Sequence, residues 1–307
     1  MRVGPPEHAV GRSSGTEEFL PERAISALQS HPGFQDAVRA AIDGLIERYS
    51  HNRVLNRVFN DRGRAVGGLI ALYLHYTPAP GGRRTGLTVG RFQAFCVDLK
   101  LCSPGRAWAL LALMRFAGYL EPDPEVSDRR QHRLVPTEAL IEVYRQTWKS
   151  HFEAMALVMP EGRAALEIHS RPEFMPAFLR RLGVCYLAGF RVLHHAPELA
   201  RVAESNAGLL LVLSLFSGAV GGVELGGTAV PISISALSAR FGIARAHARR
   251  VLADAAEAGL VRRASGSETV VVVLPRLACM ASNFVAALFA LLGHCAEAAA
   301  EEMRSVC

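Results

Sequence analysis

The segment Ile234-Ser235-Ala236-Leu237-Ser238-Ala239-Arg240-Phe241-Gly242-Ile243-Ala244-Arg245 contains two helical patterns with a tight break between them. Ile234, Leu237 and Phe241 recur at helical spacing, with Ser233 or Ser235 available as N-cap. Gly242-Ile243-Ala244 is the break, because glycine suits the left-handed residue just past a helix. The second helix is expected over 244–258, with Ala248, Val251, Leu252 and Ala255 on one face and Gly259 ending it. Residues 260–263 and 269–274 then read as two short strands. Val270 to Val273 are all β-branched, as a buried strand prefers, and Ser265-Gly266-Ser267 supplies the turn. Ahead of the pair, 209–217 reads as a buried helix.

The same order occurs earlier in the chain. Gly118-Tyr119-Leu120 ends a helical pattern as Gly259-Leu260-Val261 does, and Leu134-Val135-Pro136-Thr137 matches Val273-Leu274-Pro275-Arg276. In this first copy a helix is expected over 65–76, then a Pro/Gly loop over 77–86. Thr88 can cap a helix running to about residue 101. Ser103-Pro104 is a cap followed by an N1 proline, starting a helix that Gly118 ends. Strands are expected at 119–121 and 131–135, joined by a charged turn. Long helices flank each copy, at 34–49, 137–158, 172–194 and 276–303, and residues 159–171 read as the junction. The expected organisation is a flexible segment over 1–30, a first unit over 31–160 and a second over 161–307. The 307 residues suit two such units.

Helix, helix, recognition helix and two-stranded wing in that order resemble a winged helix-turn-helix. The long flanking helices make each half similar to a multiple-antibiotic-resistance-regulator (MarR) type unit. The residues from Ile234 to Arg245, continuing to Ala258-Gly259-Leu260-Val261-Arg262-Arg263, carry the resemblance. The first copy matches in layout more than in residues. The expected fold is therefore mainly α, with two winged helix-turn-helix units whose flanking helices form a shared core. The resemblance implies a transcription regulator that binds double-stranded DNA, here as a single-chain pseudo-dimer. It also implies a small amphipathic or aromatic effector lodged between the flanking helices and the DNA-binding lobe. The apolar stretches 209–216 and 284–292 are candidates to line that site.

Charge agrees with a polyanionic partner. The chain has 34 Lys+Arg against 28 Asp+Glu, a net charge of +6, and a pI near 9.2. Only Lys100 and Lys149 are lysines, so nearly all of the positive charge sits on arginine, whose fork matches phosphate and guanine edges. A recognition helix places its leading residues near bases. In the second copy these are Arg245, His247, Arg249 and Arg250, with Arg262 and Arg263 on the wing within reach of phosphates. The acids Asp254 and Glu257 come later on the same helix. The first copy offers Arg106 on its helix and Arg129, Arg130 and Arg133 on its wing. Glu121, Asp123, Glu125 and Asp128 oppose them, and Trp108 reads as core or interface. The second unit is thus the stronger expected DNA reader.

Other classes find less support. The sequence has no GxGxxG after a strand, no GxxxxGK[ST], no HExxH and no GxSxG, so no enzyme and no cofactor is expected. The six cysteines form no CxxC pair and no zinc spacing, so no metal site is expected. Cys96 and Cys102 are candidates for oxidant response. The uncharged runs 207–223 and 277–293 are broken by glycine or by Ser282 and Asn283 and read as buried helices rather than membrane spans. No signal peptide is read at the start, and a cytoplasmic location is expected. A homodimer of tandem chains stays open. The rival reading is a protein-interaction module that kept the winged fold and lost DNA, which the apolar first recognition helix favours.

Overall fold

The computed structural model describes residues 22–77, 86–124, 133–264 and 269–306. The first half runs α1 (Glu22–Gln29), α2 (Phe34–Tyr49), α3 (Arg53–Phe59), α4 (Arg62–Tyr76), β1 (Leu87–Thr88), α5 (Val89–Asp98), α6 (Pro104–Phe116), β2 (Leu120–Pro122), β3 (Arg133–Pro136) and α7 (Glu138–Met155). The second half runs α8 (Pro160–Ile168), α9 (Phe174–Leu187), a 3-10 turn (Val192–His195), α10 (Pro197–Ala203), α11 (Gly208–Gly218), β4 (Thr228–Pro231), α12 (Ile234–Phe241), α13 (Arg245–Glu257), β5 (Val261–Arg263), β6 (Val270–Val273) and α14 (Pro275–Val306). The chain is mainly helical, with two small antiparallel sheets of order β1-β3-β2 and β4-β6-β5.

Apart from the 3-10 turn, the described helices and strands of the two halves repeat in the same order. In each sheet the last strand lies in the middle, between the short strand that precedes α5 or α12 and the strand that follows α6 or α13. Gly118 and Gly259 end α6 and α13 at φ +76° and +70°, a backbone region that favours glycine. The repeat extends further back than expected. Ser30-His31-Pro32-Gly33-Phe34 opens α2 and Ser170-Arg171-Pro172-Glu173-Phe174 opens α9. The segment 159–171, read as a junction, holds α8. Likewise α1 lies inside the stretch read as flexible, and its Ile25 is buried.

Packing between the halves is reciprocal. Helix α2 packs on α7 of its own half and on α11 of the other; α9 packs on α14 of its own half and on α4 of the other. Helix α1 lies against α14, and α8 against α7. One continuous apolar core therefore runs from Ile25 to Ala299. Its centre is aromatic: Phe178 of α9 meets Trp148 at 4.7 Å and Phe152 at 5.9 Å, both from α7. Helix α14 is the one described helix long and apolar enough to cross a membrane, and 61% of its apolar window is buried inside the fold.

His151 of α7 is buried in this core, and its Nδ1 has no hydrogen-bond partner there. Burial, with Arg48 nearby, lowers its pKa to about 4 from the usual 6.5. The fold keeps the ring neutral, whereas the unfolded chain protonates it near 6.5. Its contribution to stability is therefore complete above pH 6.5 and is lost as pH falls from 6.5 through about 4. His151→Leu is expected to flatten that acid limb in denaturant titrations at pH 7, 5.5 and 4.5. An unchanged limb would assign it to other groups.

Candidate nucleic-acid interface

Helix α12 starts where the Ser233 hydroxyl accepts a hydrogen bond from the Ala236 amide (3.2 Å) and stops at Gly242, which is left-handed at φ +65°. The chain turns through Ile243 and begins α13 at Arg245. Ala248, Val251, Leu252 and Ala255 bury one face of α13, which fixes the helix in rotation. Arg245, Arg249 and Arg250 consequently stand on the exposed side. Ala244 has no side chain to cap α13, so the first-turn amides carry no side-chain partner there and the positive end of the helix dipole adds to the arginines. Arg262 and Arg263 of edge strand β5 are exposed as well. Arg245, Arg249, Arg262 and Arg263 have no acidic partner among the described residues.

His247 is placed differently from its neighbours. Its Nε2 lies 2.9 Å from the Asn206 carbonyl, and its Nδ1 lies 2.7 Å from Arg250 Nη2. The Nε2–H tautomer serves both contacts, donating to Asn206 and accepting from Arg250. His247 thus anchors α13 to the loop before α11 and orients Arg250, instead of reaching outward. It is withdrawn from the set of direct contacts.

The first unit presents a different surface. The Ser103 hydroxyl accepts from the Arg106 amide (3.4 Å) and caps α6. Ala107, Leu110, Leu111 and Met114 are buried. Arg106 is exposed, and so on the same helix are Trp108 and Phe116, at 58% and 91%. Trp108 is therefore not core. The Gly118 and Gly259 registers put Trp108 where the second unit has Arg249, and Ala109 where it has Arg250. Arg133 does not reach outward either. It lies on the central strand β3, only 17% exposed, with its Nε 2.5 Å from Asp123 Oδ2. It ties the sheet together and is also withdrawn from the contact set. Arg129 and Arg130 lie outside the described residues.

A cavity of about 320 Å³ opens between the halves where α4 and α5 meet α9 and α14. Tyr73, Phe95, Leu182, Phe284 and Leu288 are among its apolar walls, and among the described residues the charged ones lining it are Arg62 and Arg191. Of the stretches expected to line an effector site, Leu209, Phe284, Leu288, Leu291 and Leu292 line this cavity, while Leu210 to Leu213 are core. The two equivalent interfaces differ in the residues they carry. With Phe34 and Phe174 in register, Arg39 corresponds to Leu179 and Asp43 to Gly183. On the α2–α11 side Arg39 donates to the Ala219 carbonyl (2.8 Å), and Ser217 hydrogen-bonds Asp43, closing the interface. On the α9–α4 side Leu179 and Gly183 offer no such polar bonds, and the Tyr73 ring packs so closely on Gly183 that a Cβ there would clash with it; the cavity lies beside this contact. Arg62 pairs with Glu204 at 2.5 Å. The Arg191 guanidinium stacks on the Tyr186 ring at 3.4 Å and donates to the Tyr186 and Phe190 carbonyls.

The sequence reading missed Arg62, Gly183 and Arg191, because nothing local marks them; only the alignment of Phe34 with Phe174 would have pointed to Gly183. Cys96 and Cys102 lie side by side. Burial and the neighbouring thiol push Cys96 up to about 12, which leaves it a poor nucleophile. Among the described residues no group of three or more His, Cys, Asp or Glu side chains could hold a metal ion. No family model, curated protein or solved structure matches this chain.

Proposed function

We propose that the chain is a transcription regulator that binds double-stranded DNA through two winged helix-turn-helix units joined as a single-chain pseudo-dimer. The second unit is the stronger reader. One observation carries this reading: Arg245 and Arg249 stand one helical turn apart on the exposed side of α13, at the leading end of a helix held by its buried face. Arg262 and Arg263 flank that helix as phosphate contacts. The role is binding rather than catalysis. The test is a duplex titration across salt concentration. Phosphate contacts give a log–log slope of about −0.9 per phosphate neutralised, whereas a pure protein-docking module shows little duplex affinity at any salt. That second reading is favoured by the exposed Trp108 and Phe116 on α6, so both outcomes are informative.

The cavity supports the effector part of the reading. An apolar body with one carboxylate would bury its chain or ring against leucine and phenylalanine and offer its anion to Arg62 or Arg191. A fluorescent naphthalene carboxylate is expected to bind saturably at one site per chain. Leu187 lines the cavity yet is 51% exposed, so Leu187→Trp should obstruct entry without unfolding the chain. A several-fold weaker dissociation constant is the expected result. Equal binding by the variant would place the ligand elsewhere.

A further inference from the structure

Helix α3 was not foreseen from the sequence, and the proposed DNA reading gives it no role. It sits between the two candidate recognition helices. On one side it packs against α6 of its own unit. On the other it meets the turn that leads into α13: a Cβ placed on Gly242 would lie 3.9 Å from the Asn56 Cβ. The approach is tied by two hydrogen bonds, the His51 amide donating to the Arg240 carbonyl (2.9 Å) and Arg240 Nε donating to the Ser50 hydroxyl (2.7 Å). The first half thus holds the turn of the second unit.

The rotation of α3 is fixed. Leu55, Asn56, Val58 and Phe59 are buried, and the Asn52 side chain caps the helix by accepting from the Leu55 amide (2.9 Å). Arg53 and Arg57, one turn apart, are left exposed, and neither has an acidic partner among the described residues. The repeat shows that this charge is not a general feature of the position. Leu55-Asn56-Arg57-Val58 matches Leu199-Ala200-Arg201-Val202, so Arg57 has a counterpart in Arg201. Arg53 and Val54, however, correspond to Pro197 and Glu198, and Glu198 is ion-paired with Arg276. The surroundings differ in the same sense. Glu204 and Asn206, which follow α10, border a groove with Arg106 and Ala109 of α6. Glu204, paired with Arg62, and Asn206 therefore border the apolar recognition helix, whereas an arginine-bearing helix borders the turn into the arginine-bearing one.

We propose that Arg53 and Arg57 of α3 belong to the DNA-binding surface of the second unit, where they hold backbone phosphates beside the groove that α13 enters. The site is composite: the second half supplies the reading helix and the first half supplies two phosphate contacts. This rests on the DNA-binding reading above, and the experiment separates the two.

The full chain is titrated with two unrelated mixed-sequence duplexes of about 30 base pairs, enough to span two half-sites one turn apart, at several salt concentrations. R53A/R57A is expected to weaken both complexes on the order of tenfold at low salt and to reduce the salt slope by about 1.8, two phosphates at 0.9 each. R53K/R57K should restore most of the binding, since a phosphate accepts a point charge where a base edge needs the arginine fork. A comparison with R245A/R249A completes the test. If that variant loses affinity while R53A/R57A matches the wild type in affinity and slope, α3 is not part of the surface and the DNA reading stands. If the wild type binds neither duplex with a salt dependence, both are overturned. Thermal unfolding of R53A/R57A should match the wild type, because both side chains are exposed.

Discussion

Replacing Arg245 and Arg249 together with alanine is expected to weaken duplex binding between about thirtyfold and about twenty-thousandfold. Each bidentate arginine contact to a base contributes about 1–3 kcal/mol, and a loss of 1.4 kcal/mol is about tenfold. The loss should be largest for a preferred duplex and smaller for a mixed-sequence one, since base contacts discriminate and phosphate contacts do not. Stability should change by less than about 0.5 kcal/mol, because both side chains are exposed and have no acidic partner among the described residues. A calorimetric melt beside the binding isotherm separates the two effects. R262A/R263A should behave differently, with a lower salt slope and an equal loss on every sequence. Wild-type affinity in R245A/R249A would remove α13 from the groove and leave protein docking through α6 as the surviving reading.

Phe178→Ala should be the most destabilising single change in the joint between the halves, at about 3–5 kcal/mol. Phe178 is fully buried and sits among Trp148, Phe152 and Phe174. Two of those rings belong to α7 of the first half, while Phe174 and Phe178 itself belong to α9 of the second. The cavity left by the truncation therefore opens at the joint and cannot be absorbed by one half. Unfolding should remain a single transition, with helical circular dichroism and tryptophan fluorescence moving together at lower denaturant. Two separated transitions, one half surviving the other, would mean that the reciprocal packing of α2 on α11 and α9 on α4 does not couple the halves.

Much of the architecture was legible because it is written in local periodicity. The faces of α2 and α13, the Ser103-Pro104 start of α6 and the glycine stops at 118 and 259 all depend on neighbours within a turn or two. What escaped was short or set by distant partners. Strands β1 and β4 exist because each pairs with the central strand of its sheet. Neither Leu87-Thr88 nor Thr228-Ala229-Val230-Pro231 alternates strongly enough to be read alone. Helices α3 and α10 have seven residues each, too short to show a periodic face. For the proposed interface, the positions of Arg245, Arg249 and Arg250 followed from the buried face of their own helix. His247 and Arg133 did not, because each is claimed by a partner distant in sequence or across the sheet: the Asn206 carbonyl and the Asp123 carboxylate.

The amino-acid sequence by itself determined the longer helices, the repeat and the concentration of arginine on α13, since helix faces, caps and glycine stops are settled between residues a few positions apart. Only the tertiary structure decided which side chains are claimed by distant partners, where α3 lies and where the cavity opens. Those outcomes depend on what the other half of the chain brings against each residue: Arg240 against Ser50, Glu204 against Arg62, and Tyr73 against Gly183. Such pairings join residues far apart in the chain, and local periodicity carries no record of them.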